Sequence, residues 1–291
     1  MRLMYDDFMQ SRSIYSSNEV QTKLARQVIP QIKNFHPTPI DITNVWEYCL
    51  NHGAWISDNS GLTLPFNNVF FEYSARADLS GKGYRIGIYV SQSDRLKDGG
   101  PAKILDDIYG GERWSCWACT FHQFSTGQIS GPMVHYHYRL DENGSLVGEA
   151  ECEAISTDRA NDYSQEILMF DLWVALFAVK LMNCRNVKLV DNAPLPLTRA
   201  ERRRGDPERV AYKTIKVLPI RKIYNEAESG EEPESGLMPL HICRGHFKDF
   251  RNGPGLFGKY REIFWWEQHV RGKTENGQVI KDYEVIAPTD E

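Results

Sequence analysis

Four runs between Leu64 and Leu140, NNVFFEYSA, YRIGIYVSQ, WSCWACTFHQF and MVHYHYRL, are dense in Val, Ile, Tyr, Phe and Trp, and a fifth run of strand texture, LVGEAECEAI, follows before Ser156. β-branched and aromatic side chains suit a pleated, half-buried surface, and turn signals separate the runs. Asn143-Gly144 marks a tight hairpin between the last two, because both residues tolerate the positive φ that such turns demand. The pattern predicts an antiparallel sheet of four or five strands. The Gly- and Asp-rich insert from Ser93 to Gly111 is expected to be a surface excursion with a short helix at Ala102–Ile108.

A sheet of this kind needs an apolar cover, and Ala160–Cys184 supplies a helix with apolar residues nearly all round (Ile167, Leu168, Phe170, Leu172, Trp173, Leu176, Phe177, Val179, Leu181). A helix with so little polar face packs on several sides, so it is expected to be a long buried helix lying on the sheet. The fold class expected is therefore α+β. Residues 18–33 repeat Val20, Leu24, Val28 and Ile32 at helical spacing behind Asn18 as a cap, with Pro30 expected to kink or shorten the helix. A second helix is expected at Ile42–Asn51, capped by Asp41 and closed by Gly53. Strands are expected at NVKLV and at Tyr212–Ile220. Between them, Thr198 and Glu201 form a capping box ahead of a short arginine-rich helix.

Residues 226–236, EAESGEEPESG, hold five glutamates, no basic residue and no large apolar side chain. Such a segment buries too little surface to offset its chain entropy. It is read as an acidic linker between an α+β domain at 1–225 (a helical lead-in at 1–60, then the sheet and helices at 61–225) and a small β-rich C-terminal module at 237–291. A final strand is expected at Tyr283–Ala287.

The composition, 41% hydrophobic, 25% charged and a formal net charge of −5, belongs to a folded protein without the bulk positive charge that coats nucleic acid. Six cysteines are scattered through the chain, and the acidic start MRLMYDDFMQ is unlike a signal peptide. The longest apolar run, Ile167–Met182, contains Asp171 and Lys180 and is too short to span a bilayer. Reduced thiols, a cytoplasmic location and no membrane are the expectations.

Cys116 and Cys119 form a CxxC with His135 and His137 downstream, yet positions three apart on a strand face opposite ways, so a structural metal is not expected. His135 and His137 share one strand face. No GxSxG elbow, no GxGxxG and no Walker loop is present, and no cofactor is expected. Arg199–Lys222 carries nine basic residues against three acids. Arg199, Arg202, Arg203 and Arg204 make it a candidate patch for phosphates or for an acidic partner, although Tyr212 is the single aromatic in the run and bases would have little to stack on.

The densest group of functional side chains is Leu240–Gly272, LHICRGHFKDFRNGPGLFGKYREIFWWEQHVRG. If a loop at Asp249–Tyr260 folds two strands into a hairpin, Arg244 and His246 on one strand lie opposite His269 and Arg271 on the other. Imidazole beside guanidinium suits phosphate chemistry, with His246 and His269 as acid and base in an enzymatic reading. The alternative is a polar network with Trp265 and Trp266 packed on the two faces. With no partner nucleophile or phosphate loop in the chain, recognition is expected rather than catalysis. The binding set is then Arg244, His246, Trp265, Trp266, His269 and Arg271.

HICRGHF, LFGK and WWEQHVRG, together with LPFNNVFFEY, NCRNVKLVDNAP and TRAERRRGDP upstream, resemble a set of uncharacterised phage and prophage proteins with an HxxRGHF, LFGK, WWxxHVRG signature. The resemblance implies a phage accessory protein in the host cytoplasm, a homo-oligomer, that binds and inhibits a host protein complex. Counter-defence proteins such as those blocking the Gabija system are of this kind. The rival expectation is a nucleic-acid- or nucleotide-binding protein, or a phosphodiester-cleaving enzyme, acting through the His/Arg cluster.

Overall fold

The computed structural model describes residues 3–10, 14–15, 19–52, 59–75, 84–92, 116–124, 126–141, 143–155, 165–206, 208–218, 239–243, 245–266, 269–271 and 273–278. The chain forms two compact units, Met1–Val217 and Leu218–Glu291. In chain order the first carries α1 (Met4–Met9), β1 (Ile14–Tyr15), α2 (Glu19–Asn34), β2 (Thr38–Asp41), α3 (Thr43–His52), β3 (Asn68–Ala75), β4 (Tyr84–Gln92) and β5 (Cys116–Gln123). It continues with β6 (Ile129–Ser130), β7 (Val134–Tyr138), β8 (Glu151–Ala154), α4 (Gln165–Met182), β9 (Val187–Asn192), α5 (Arg199–Arg203) and β10 (Tyr212–Val217). The second carries β11 (Pro239–Cys243), β12 (His246–Asp249), β13 (Ile263–Trp266), β14 (His269–Arg271) and β15 (Lys273–Gln278). The insert at 93–111 with its helix at 102–108, the acidic segment at 226–236 and the strand at 283–287 lie outside the described residues, as do positions 18, 53 and 160–164.

The five runs become β3, β4, β5, β7 and β8, which pair antiparallel with one another. The sheet they build is larger than expected and mixed. Ten strands run in the order β1-β6-β5-β4-β3-β2-β10-β9, with β7 and β8 continuing from β5. Three of the added pairings are parallel: β1 with β6, β2 with β3 and β2 with β10. Parallel neighbours need long crossovers and leave no local hairpin signal, so the short TPID strand was not legible as the joint between β3 and β10.

Alternation along β3 and its neighbours sorts side chains onto two faces. Phe70, Tyr89, Trp117, Cys119 and Phe121 form one core with Met4, Tyr5 and Phe8 of α1 and Val28, Ile29 and Ile32 of α2. Phe8 fills the centre, its ring 5.2 Å from Phe70 and 4.8 Å from Phe121. Gly87 makes room beside it, since a Cβ there would stand 2.6 Å from the Phe70 ring. On the opposite face, Tyr73 stacks on Trp46 of α3 at 5.4 Å and donates its hydroxyl to Asp171 of α4. The Tyr136 hydroxyl donates to the Leu168 carbonyl at 2.7 Å. Along α4, Leu172, Val174, Leu176, Phe177, Val179 and Leu181 are buried. Helix α2 runs on past Pro30 to Asn34 rather than stopping there.

Local chemistry sets the turns and caps. Asp41 accepts from the Thr43 amide at 2.9 Å and the Thr43 hydroxyl at 2.7 Å at the start of α3. The capping box at α5 is complete: the Thr198 amide donates to Glu201 at 2.7 Å and the Glu201 amide donates back to Thr198 at 3.2 Å. Gly144 sits at φ 73° in the predicted turn, and a Cβ there would stand 2.2 Å from Thr63 Oγ1. In the second unit β11 is flanked by β14 (antiparallel) and β15 (parallel), and β12 pairs with β13 as a separate two-stranded ladder.

Candidate functional site

The stretch singled out in the sequence does fold back on itself, but its register separates the groups expected to meet. Asp249 pairs with Ile263, and the ladder runs on through Lys248 with Phe264 and Phe247 with Trp265 to His246 with Trp266. Further along, Cys243 pairs with His269 and His241 with Arg271. His246 therefore faces Trp266, and neither His269 nor Arg271 lies across from it. The length of the turn decides this: closure at Phe250 and Glu262, where the Phe250 amide donates to the Glu262 carbonyl at 3.2 Å, sets the register of everything before it. Arg244 lies outside the described residues.

What the hairpin assembles instead is an aromatic and cationic surface. Phe264 is fully buried and Trp265 is 3% exposed, so Trp265 is a core residue, packed on Phe247 at 4.6 Å, and not the exposed anchor expected. Trp266 is half-buried, with the Lys248 ammonium 4.3 Å from its ring centroid. Phe250 leans on both Phe264 and Trp266 at 5.9 Å. In the turn, Phe257 takes φ 56°, a conformation that costs a residue with a Cβ about 1–2 kcal/mol. It is nevertheless 43% exposed. Backbone bonds hold it there: Leu256 and Tyr260 exchange amide-to-carbonyl bonds at 2.8 and 3.0 Å, and the Gly258 amide donates to Gly255 at 3.2 Å. Lys259 lies 5.4 Å from the Tyr260 ring, and Arg261 is exposed. Exposed aromatics beside cations, on a turn closed by backbone hydrogen bonds, favour contact with another surface.

The arginines of the basic patch sit on α5 and just past it. Arg199, Arg202, Arg203 and Arg204 are all exposed. Arg204 pairs with Asp206 at 2.9 Å, and Arg209 holds Glu201 at 2.9 Å. The capping bonds from Thr198 and the Arg209 guanidinium pull the Glu201 carboxyl down to about 2.

On β7, His135 is fully buried and its Nδ1 accepts from Trp117 Nε1 at 3.3 Å. Burial, with His137 beside it, pushes its pKa down to about 3. His137 is also shifted down by burial, against the pull of Glu153 and Glu151. Those glutamates stand opposite the two histidines on β8. Burial disfavours the charged form of both imidazoles. Cys116 and Cys119, three apart on β5, fall on opposite faces of the sheet. Among the described residues no three His, Cys, Asp or Glu converge as a metal would require. No helix of the described residues is long and apolar enough to cross a membrane.

One polar centre escaped the sequence reading. Glu72, 1% exposed on β3, accepts from the amides of Met4 at 3.3 Å and Tyr5 at 3.0 Å and from Arg85 at 3.3 Å. Burial pushes its pKa up to about 7, opposed by Arg85 and the two amides. Two further acids of α1 are also engaged: Asp6 accepts from the Val210 amide at 2.9 Å, and Asp7 from Gln123 at 2.8 Å. The MYDDF run, two acids set between large apolar residues, was the available signal.

Compared with protein-family models, curated proteins and solved structures, the chain matches none.

Proposed function

We propose that this protein works by recognition, as a phage-encoded accessory protein that binds and inhibits a host protein complex, an anti-phage defence assembly above all. The observation that carries the reading is the hairpin at β12–β13, where Phe257 is held exposed at a strained φ and Trp266 is half-buried under Lys248. Aromatic and cationic side chains on a rigid turn are the anchors that protein interfaces use most, and backbone strain is retained where a surface is used. The resemblance to phage and prophage proteins supplies the host cytoplasm as the setting and a homo-oligomer as the working form. The rival reading, phosphodiester chemistry through a His/Arg cluster, loses its main support because His246 stands opposite Trp266.

The test is affinity capture from host lysate with the tagged full-length protein, comparing the unmodified chain with Trp266→Ala, Phe257→Gly and His246→Ala. One stoichiometric assembly is expected to be retained by the unmodified chain and by His246→Ala. It is expected to be lost or weakened at least tenfold with Trp266→Ala. Recovery of nucleic acid alone, or capture that depends on His246 and not on Trp266, sinks the proposal.

A further inference from the structure

The first unit has a second surface that the hairpin reading does not use. Strand β9 ends the ten-stranded sheet: β10 pairs with one edge, and among the described residues no strand pairs with the other. Across β9 and β10, Lys188 stands directly opposite Lys216, and both are exposed. Like charges placed opposite each other on adjacent strands are destabilising, and among the described residues neither lysine has an acidic partner. Of the neighbouring acids, Asp191 is held by Lys213, Asp206 by Arg204 and Glu201 by Arg209, and Glu208 is exposed in the connection between the two strands. Arg199, Arg202 and Arg203, in the connection between the same two strands, are exposed as well. Apolar side chains break up this positive field: Val190 is 37% exposed, Leu195 51% and Val210 41%.

A lysine on an edge strand is a common guard against self-association. Lys216 lies on the inner strand, where no such guard is needed. Among the described residues the surface therefore combines a strand edge with no neighbour, an excess of positive charge and scattered aliphatic side chains. Nucleic acid fits this poorly, because none of these exposed side chains is aromatic and a phosphate chain has no use for a row of amides and carbonyls. An extended acidic peptide fits the edge and the charge. Its backbone can pair with the edge, and the carboxylates of its alternate residues can face the lysines, while the residues between them lie on the other face of the sheet.

We infer that β9 is a docking edge for an acidic, extended segment of a partner protein, which adds beside it as an eleventh strand. The inference does not depend on the hairpin at β12–β13. Binding of a fluorescein-labelled (Glu-Val)5 peptide to the full chain, followed by anisotropy, tests it. Three comparisons accompany it: the same peptide with every backbone nitrogen methylated, labelled dT15, and the peptide against the Lys188→Ala, Lys216→Ala double variant, with Trp266→Ala as a control on the other unit. The peptide is expected to bind and to weaken at least tenfold in the double variant. It should also weaken with added salt, lose binding on methylation and be indifferent to Trp266→Ala. Binding of dT15 in preference to the peptide, binding of neither, or equal binding of the methylated peptide overturns the inference. The methylated-peptide comparison uses the unmodified protein, so it decides the matter even if the double variant misfolds.

Discussion

Glu72 shows how one side chain can set the behaviour of a region. Its carboxyl receives two amides from the first turn of α1 and a guanidinium from β4, yet burial dominates and raises its pKa to about 7. A carboxyl whose folded pKa lies above its unfolded value contributes stability that is complete below about pH 4.5 and is lost as pH rises to about 7. At about 1.4 kcal/mol per pKa unit, the loss across that window is about 3 kcal/mol. Glu72→Gln cannot ionise, so it is expected to gain on the unmodified protein between pH 4.5 and pH 7, measured as the difference in urea unfolding free energy. A constant difference across that range excludes Glu72 as the titrating group. His135 acts in the opposite sense: with its pKa pushed down to about 3, it stabilises above about pH 6.5 and loses that contribution as pH falls. Gly144 is constrained by space as well as by φ. Gly144→Ala should lower stability by about 1–3 kcal/mol, through the left-handed backbone and the contact with Thr63. An unchanged melting temperature would show that the turn can open away from Thr63.

Among the elements, α1 is short and would not persist alone. It is held by the Phe8 ring between Phe70 and Phe121 and by the bonds that Glu72 and Asp6 make. Phe8→Ala should cost about 3–5 kcal/mol, because the sheet cannot collapse to fill the space. Hydrogen exchange at α1 and α2 should rise with it, and a loss below about 1 kcal/mol would mean that α1 is a passenger on the sheet. The β12–β13 hairpin invites the reverse experiment. Phe257→Gly relieves a positive φ and is expected to raise stability by about 1 kcal/mol while weakening partner capture. A variant that loses stability and keeps capture would assign Phe257 to packing. Strand runs, the Asn143-Gly144 turn and the Thr198-Glu201 capping box were legible in the sequence because each is written in neighbouring residues. The register of β12 on β13 was not. It depends on how many residues the turn consumes, and a displacement of two or three positions separates His246 from His269.

At the scale of the whole molecule, the two compact units, 1–217 and 218–291, have their own aromatic cores, one around Phe70 and one around Phe264. Chains with two cores commonly depart from two-state unfolding. Calorimetry is expected to show two transitions, with Phe8→Ala lowering one and Trp265→Ala the other; a single transition moved equally by both would join the units into one cooperative block. The sequence by itself determined the strand-rich middle of the chain, the apolar helix that follows it and the place of the aromatic-cationic stretch, since periodicity and turn chemistry act over a few residues. Only the tertiary structure decided that β2 joins β3 to β10, that a buried carboxyl on β3 receives the start of α1, and that His246 meets a tryptophan. Each of these contacts joins residues whose meeting depends on how the intervening chain closes, and the energy of that closure is carried by burial across the whole sheet rather than by any local pattern.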